Sequence, residues 1–346
     1  MIPSGGRRRE PSLADVARAA GVSAQTVSRV ANGSDLVRPT TRDRVVVAMQ
    51  ELGYRPNGAA RALKYGRYRS IGVIMFTLAT YGNLRTLSAV SDEAARLGYS
   101  LTLISLDKAS QASVSGAFAQ LSELAVDGVV LVVPADIARG RGVDIPPGLP
   151  VVVIDSSPDE THPFVDHDQA QGARLATEHL LDLGHRTVWH IAGPTSSWSA
   201  KRRRESWAEV LRQHGCEVLE PFIGDWSADS GWEAGQVLAT MPEVTAVFAA
   251  NDQMALGLMR ALHEAGRSVP GDVSVVGFDN TPDSGNYWPP LTTVHQHFEQ
   301  VGRDALEALV DQIEQRPVGQ LPLVATELVV RSSAAPPRVV SGAGSN

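Results

Sequence analysis

Cysteine is nearly missing from this chain: Cys216 is the only one in 346 residues. A single thiol excludes an intramolecular disulfide framework and any cysteine-rich zinc site, and a reduced compartment is expected. Long apolar runs are missing as well. The longest, about Ile71 to Ala79, falls well short of the roughly 18 residues a membrane span needs. The N-terminal arginines are followed by no apolar stretch, so no secretory signal is expected. What remains is a chain 43% hydrophobic, rich enough in apolar residues to exclude wholesale disorder. At roughly 150 residues per domain, two to three domains are expected.

Catalytic signatures are lacking too. No Gly-x-Gly-x-x-Gly follows an apolar run, and Arg139-Gly-Arg-Gly142 sits in a Pro/Gly-rich loop. There is no P-loop, no Gly-x-Ser-x-Gly elbow and no His-Glu-x-x-His. His295-Gln-His297 is at most half a metal site, with no further ligand cluster nearby. No enzyme, no cofactor and no metal are expected.

Charge is unevenly spread. The formal net charge of −7 divides into +8 over residues 1–69 and −15 over residues 70–346. A basic head on an acidic body points to a nucleic-acid module joined to something that avoids polyanions.

In the head, apolar periodicity predicts three helices: Leu13 to Ala20, Ala24 to Ala31 and Pro39 to Leu52. Ser12 and Asp15 can form a capping box, Gly21 supplies a tight turn, and Ser23 can cap the second helix. The expected inward faces are Leu13, Val16, Ala17 and Ala20, then Val27 and Val30, then Val45, Ala48, Met49 and Leu52. Two short helices across a Gly-containing turn read as helix-turn-helix. Its second helix enters the major groove N-terminus first, which selects Ala24, Gln25 and Arg29. Gln pairs with adenine and Arg with guanine, each through two hydrogen bonds. A plain three-helix bundle with a solvated charged face is the alternative.

The stretch from Leu13 to Val30, LADVARAAGVSAQTVSRV, continued by TRDRV at Thr41 and by ELGYRPN ending at Asn57, resembles the N-terminal signature of the LacI/GalR family of bacterial transcription repressors. The resemblance implies DNA contacts at Ala24, Gln25, Thr26, Ser28, Arg29, Asn32, Thr41, Asn57 and Ala60. It also implies a hinge helix over Gly58 to Leu63, with Leu63 as a minor-groove wedge. Wedging costs a few kcal/mol of unstacking and opens more contact surface. A helix so short is marginal alone, as a switch requires. Arg7, Arg8 and Arg9 read as a phosphate-contacting arm or a solvated tail.

From Ile71 onward, apolar runs of four to seven residues alternate with amphipathic stretches. The runs are Ile71–Phe76, Leu101–Leu106, Val129–Val133, Val151–Ile154, Val188–Ile191, Ala246–Ala249, Val273–Val276 and Leu328–Val330; stretches such as Ser88–Leu97, Gln169–Leu183 and Gln253–Glu264 lie between. Such alternation predicts parallel sheets covered by helices on both faces, in two lobes. Ligands of such sheets lie beyond the carboxyl ends of the strands. Asp155, Asn251-Asp252 and Asp279 each stand just after a run, where helix capping or turn formation is the default role. Three recurrences favour ligand binding. Carboxylates, amides and guanidinium groups suit vicinal hydroxyls, and an aromatic face suits the C–H side of a sugar. All six tryptophans lie in the body, with Trp226 in a loop.

The family resemblance extends over residues 12 to 331 and narrows to a sugar-responsive subgroup through Ala192-Gly-Pro194 with Ser199, GDWSA at Gly224, NDQMALG at Asn251 and PPLTT at Pro289. It implies a small all-α helix-turn-helix head and an α/β two-lobed sensor with parallel sheets, like a type I periplasmic binding protein. Effector contacts are implied at Asp155, Arg203, Trp226, Asn251, Asp279, Gln296 and Phe298. Arg203 is the middle of three arginines, and the inward one is expected to be that one because adjacent helical residues diverge by about 100°. Val132 replaces the subgroup's asparagine, and Phe76, Thr80, Gly82, Asn83 and Thr86 replace its small apolar first-lobe wall. A glycosyl group is therefore expected, with its attached group left open.

The expected domains are a basic disordered tail (1–11), the head (12–55), a hinge helix and linker (56–69), a sensor and dimerisation domain (70–331) and a disordered tail (332–346). Within the sensor, lobe one spans about 70–167 plus 298–322, and lobe two about 168–297 plus 323–331. No leucine-heptad tetramerisation helix follows Arg331, so a homodimer is expected. The resemblance implies a cytoplasmic, nucleoid-associated bacterial repressor, released from a near-palindromic operator by a sugar or glycoside, with no membrane partner. A corepressor action of the ligand, a sugar-binding transport protein and a sugar-processing enzyme are the alternatives.

Overall fold

The structure is a computed structural model and describes residues 11–31, 36–54, 67–106, 110–132, 145–155 and 162–338. It divides into two units, residues 1–68 and residues 69–346.

The first unit has three helices, α1 (Leu13–Ala20), α2 (Ala24–Ala31) and α3 (Pro39–Leu52). Ser12 Oγ accepts from the Asp15 amide at 3.3 Å while the Ser12 amide donates to Asp15 Oδ2 at 2.9 Å, a complete capping box. Gly21, at φ 63°, ends α1, and the Val22 amide reaches back to the Ala17 carbonyl at 3.0 Å. Ser23 Oγ caps α2 through the Thr26 amide. Val16, Ala17, Ala20, Val27, Val45 and Ala48 form the core. Leu52, expected inside, is 38% exposed. The chain turns at Gly53 so that Tyr54 packs against the core instead.

The second unit contains two sheets. The first is ordered β2-β1-β3-β4-β5, from β1 (Ser70–Met75), β2 (Ser100–Ser105), β3 (Gly128–Val132), β4 (Val151–Ile154) and β5 (Phe164–Val165), all parallel. The helices α4 (Tyr81–Arg96) and α5 (Gln111–Glu123) join its strands. The second is ordered β11-β10-β9-β8-β6-β7, from β6 (Trp189–Ala192), β7 (Phe222–Ile223), β8 (Ala246–Ala249), β9 (Ser274–Asp279), β10 (Thr292–His295) and β11 (Glu327–Val329). Its helices are α6 (Gln169–Asp182), α7 (Trp198–Gln213), α8 (Ala228–Ala239) and α9 (Asp252–Glu264). Strands β3, β4, β8 and β9 are buried throughout, and the unbroken apolar runs of β3, β4 and β8 are what helices covering both faces require. The edge strand β11 runs antiparallel to β10, an exception to the expected parallel pattern.

The chain crosses between lobes three times: from β5 into α6, from β10 into α10 (Phe298–Ile313), which packs on the first sheet, and from residues 318–324 into β11. Two crossings are bonded together, with the Asp168 amide donating to the Val324 carbonyl at 2.8 Å and the Val324 amide to the Asp166 carbonyl at 2.9 Å. The tail expected to be disordered from residue 332 is instead bound to the second lobe as far as Arg338. Ser333 is fully buried; its Oγ donates to the Val275 carbonyl at 2.6 Å and accepts from the Thr292 amide at 2.8 Å. Small residues let this segment lie flat on the sheet, and its hydroxyl and amides satisfy buried backbone groups that nothing else reaches. Among the described residues, no helix is long and apolar enough to cross a membrane.

Candidate functional site

A cavity of about 320 Å³ lies between the lobes at the carboxyl ends of both sheets. Asp155, Arg203, Trp226, Asn251, Asp279, Gln296 and Phe298 all line it, and so do Phe76, Thr80, Gly82, Asn83, Thr86 and Val132 of the first lobe. Asp155 follows β4 in a left-handed conformation (φ 52°), and Asp279 ends β9 at φ 107°. Such backbone is uncommon for residues other than glycine and concentrates at functional sites. Gln296 and Phe298 flank the second crossing. Along α7 only the middle arginine turns inward: Arg203 is 4% exposed, while Arg202 and Arg204 are half-buried.

Arg203 closes a ring of hydrogen bonds. Its Nε donates to Gln169 Oε1 at 2.8 Å, Gln169 Nε2 donates to Gln296 Oε1 at 3.1 Å, and Gln296 Nε2 donates to Asp279 Oδ1 at 2.6 Å. Asp279 Oδ1 returns to within 3.8 Å of Arg203 Nη1, which also donates to the Ala250 carbonyl at 2.5 Å. The guanidinium stacks 3.6 Å from the Phe278 ring centre, with Trp226 5.5 Å away. Every amide orientation in the ring is fixed by its neighbour, which pre-sets donors and acceptors for a polyhydroxylated ligand.

Burial pushes the Asp279 carboxyl up to about 7, against the opposing pull of Arg203. Burial likewise pushes Asp155 up to about 6, and it raises Asp166 with the help of the Asp155 charge. Burial also pulls the Arg203 guanidinium down from its ordinary value, with Asp279, Asp155 and Asp166 opposing. One cation thus faces three acids that water no longer screens.

One of the expected contacts also does structural work. Asn251 Oδ1 accepts from the Met254 amide at 2.8 Å and caps α9, while its Nδ2 donates to the Trp226 carbonyl and Gln253 Oε1, each at 2.9 Å. Its amide therefore anchors the Trp226 loop. Trp226, at φ 77°, lays its ring against Gly193, where an added Cβ would come within 2.4 Å. The structure adds Asp166, His167, Gln169 and Tyr81 to the wall, none of which the sequence reading selected. Asp166 obeys the same rule as Asp155, a polar residue just after a strand. Its strand, β5, is two residues long and leaves no apolar run to see.

In the first unit, Ala24, Gln25 and Arg29 are exposed on α2, and Thr26, Ser28 and Thr41 are half-buried. The Thr26 hydroxyl lies 2.9 Å from Ser23 Oγ, so it serves the start of the helix. Asn32, Asn57, Ala60, Leu63 and the expected hinge helix lie outside the described residues. The His295 and His297 rings meet edge to face, but His295 Nδ1 pairs with Asn280 at 3.2 Å and His297 lies 3.5 Å from Glu327. Among the described residues no group of three or more His, Cys, Asp or Glu side chains is arranged to hold a metal.

A three-helix head followed by a two-lobed α/β domain with a polar inter-lobe cleft defines a ligand-sensing DNA-binding regulator. Residues 12–57 match the family described as bacterial regulatory proteins, lacI family, and residues 177–334 match a periplasmic binding protein-like domain. The chain is 37% identical over 331 residues to the lactose operon repressor of Escherichia coli (strain K12), covering 94% of this chain and 91% of that protein. It is 36% identical over 345 residues to the transcriptional regulator CelR of Thermobifida fusca, covering 94% and 99%. The crystal structure of the lac repressor dimer bound to operator and the anti-inducer ONPF is similar, with a TM-score of 0.84 and 35% identity over 94% of this chain and 100% of that one. A CelR–cellobiose complex is similar with a TM-score of 0.71 and 34% identity, covering 94% and 100%. The chain belongs to the lacI family of bacterial regulatory proteins.

Proposed function

We propose that this chain is a dimeric, sequence-specific transcription repressor that leaves its operator when a sugar or glycoside fills the inter-lobe cleft. The observation that carries the reading is the closed ring of Arg203, Gln169, Gln296 and Asp279. It offers paired donors and acceptors at fixed angles, with Trp226 and Phe298 as aromatic faces, a combination suited to a pyranose. Two of the four, Gln169 and Gln296, stand at points where the chain crosses between lobes, which places the ring at the pivot between them. The relatives are regulators, and the cleft is a sensing site without catalytic work.

In this reading α2 carries the base contacts, with Gln25 and Arg29 reading adenine or guanine edges and Ala24 offering a methyl surface. Thr26, Ser28, Asn32 and Thr41 position the head on phosphates, and Asn57, Ala60 and Leu63 belong to the hinge. The two heads of a dimer meet a near-palindromic site whose half-site spacing follows the two-fold axis. The protein acts in the bacterial cytoplasm on nucleoid DNA. The acidic body, −15 from residue 70 on, disfavours the phosphate backbone, whereas the basic head, +8, attracts it.

The experiment is an anisotropy titration of a duplex selected from a random pool, at fixed salt, with and without a panel of mono- and disaccharides. Release by at least one sugar supports induction. Tighter operator binding with sugar would make the ligand a corepressor, and no response to any member would remove the sugar-sensing role.

A further inference from the structure

His295 stands outside the cavity wall, yet it is built into the backbone that aims Asp279. It is the last residue of β10, its register partner on β9 is Asp279, and Gln296 follows it along the chain. Asp279 holds φ 107° and Asn280 holds φ 51°. A φ of 107° is uncommon outside glycine and persists only where the surroundings fix it. Here the fixing falls on Asn280. Its backbone N–H donates to Thr293 Oγ1 at 3.3 Å, its Oδ1 accepts from Arg331 Nη2 at 2.7 Å, and its Nδ2 lies 3.2 Å from His295 Nδ1. Arg331 is itself held by the Leu291 carbonyl at 2.7 Å.

The direction of each bond follows. A guanidinium only donates, so the Asn280 atom it meets is the carbonyl oxygen, and the side-chain amide cannot turn over. The NH2 group left facing His295 only donates as well. His295 Nδ1 is therefore a lone pair, and the proton sits on Nε2. A protonated imidazole would set N–H against N–H at this contact, and Arg331 forbids the flip that could relieve it. The other charges around His295 are His297, whose ring meets it edge to face at 4.6 Å, Glu327 opposite it on β11, Glu299 of α10, Asp279 on β9 and His167 after β5. Burial pulls the imidazole below its ordinary value, His297 adds to that, and Glu327 and Glu299 oppose it. The neutral form is the one present at neutral pH.

We infer that neutral His295 is a positioning residue of the cleft: with Arg331 it clamps Asn280, and the clamped Asn280 keeps Asp279 aimed at Gln296 and Arg203. Protonation opens the clamp, so the cleft holds its ligand less tightly in acid than at neutral pH. The inference rests on the sugar reading above and adds to it a residue that touches no ligand.

The test is a tryptophan-fluorescence titration of the full-length chain with lactose, cellobiose, maltose and melibiose at pH 8 and pH 5, since Trp226 lines the cavity. His295→Asn puts an amide oxygen near the place of Nδ1 and does not titrate, whereas His295→Leu offers no acceptor. For the sugar that binds best, the unmodified chain should lose about 3- to 10-fold more affinity on going to pH 5 than His295→Asn. At pH 8 His295→Asn should stay within about threefold of the unmodified chain, and His295→Leu should bind about 3- to 10-fold more weakly. Titration of Asp155 and Asp279, both raised by burial, is common to all three chains, so the comparison isolates the imidazole. Equal pH dependence in the unmodified chain and His295→Asn overturns the inference, as does full affinity of His295→Leu at pH 8. If His295→Leu fails to fold, the pH comparison with His295→Asn decides. If none of the sugars binds, the sugar reading fails, and the imidazole nitrogen NMR shifts of isotope-labelled histidine, assigned by His295→Asn, decide on the clamp. A proton on Nε2 alone at pH 8 supports it, and a proton on Nδ1 overturns it.

Discussion

Replacing Arg203 with alanine removes the one cation among Asp155, Asp166 and Asp279 and opens the ring at its centre. Gln169 Oε1 and the Ala250 carbonyl each lose a donor, and Asp279 loses its nearest counter-charge. Stranding a buried charge costs about 3–5 kcal/mol. Here the carboxyl escapes that cost, because burial already holds it near 7 beside the arginine. Without the guanidinium its pKa rises further and it is protonated at neutral pH. The stability loss therefore reduces to unsatisfied acceptors, about 1–3 kcal/mol, less where water enters the space. Ligand affinity falls more clearly. A ligand oxygen held by the guanidinium loses a charged hydrogen bond of about 1.5–3 kcal/mol, an approximately 10- to 150-fold weaker Kd. Calorimetry with the best-binding glycoside measures this, and operator anisotropy without sugar should change by no more than about twofold, as for independent sites. A sugar Kd within threefold of the unmodified protein would refute the role given to the ring.

Three further outcomes are expected. Asp279 has a folded pKa raised from the ordinary carboxyl value to about 7, so its contribution to stability is present at low pH and is lost as pH rises toward about 7; Asp279→Asn should flatten the fall in Tm between about pH 4 and 7, and an unchanged slope would show that Asp279 is not buried as described. Gly193→Ala places a Cβ 2.4 Å from the Trp226 ring, so it should cost about 1–3 kcal/mol in thermal or denaturant unfolding and weaken sugar binding through the displaced indole; a variant that keeps both properties would contradict the packing. Gln25→Ala should relax base preference at one position per half-site by about 1–3 kcal/mol while leaving the salt dependence of binding nearly intact, as measured by competition between selected and altered duplexes.

Where local chemistry decides an element, the sequence was a sufficient guide. The three head helices begin and end where Ser12, Gly21, Ser23, Pro39 and Gly53 place caps and breaks, and each of those signals acts within four residues. The inward turn of Arg203 was legible because helical geometry separates it from Arg202 and Arg204. Non-local pairing was the harder part. Strands β5 and β7 are two residues each, too short for a period, and they exist because a neighbouring parallel strand supplies their partners. Missing β5 meant missing Asp166, His167 and Gln169, though the rule that found Asp155 applies to them. The segment after Arg331 misled for another reason. Its Ser, Ala and Pro content resembles a linker, but small side chains also suit a strap that must lie close to a sheet, and the Val275 carbonyl of β9 and the Thr292 amide of β10, which Ser333 pairs, distinguish the two.

The three crossings between lobes have one more consequence. Gln169 and Gln296 stand at the pivot, where a rotation of one lobe against the other displaces atoms least. Contacts made there hold a ligand about equally well in any lobe arrangement, and equal affinity for two states shifts neither. Tyr81 and Asn83 belong to α4 of the first lobe, so a ligand held by the ring would gain or lose contacts with them as the lobes move. Under the proposed sugar-sensing function, the ring at the pivot would decide whether a sugar stays, and the first-lobe wall whether its presence is felt.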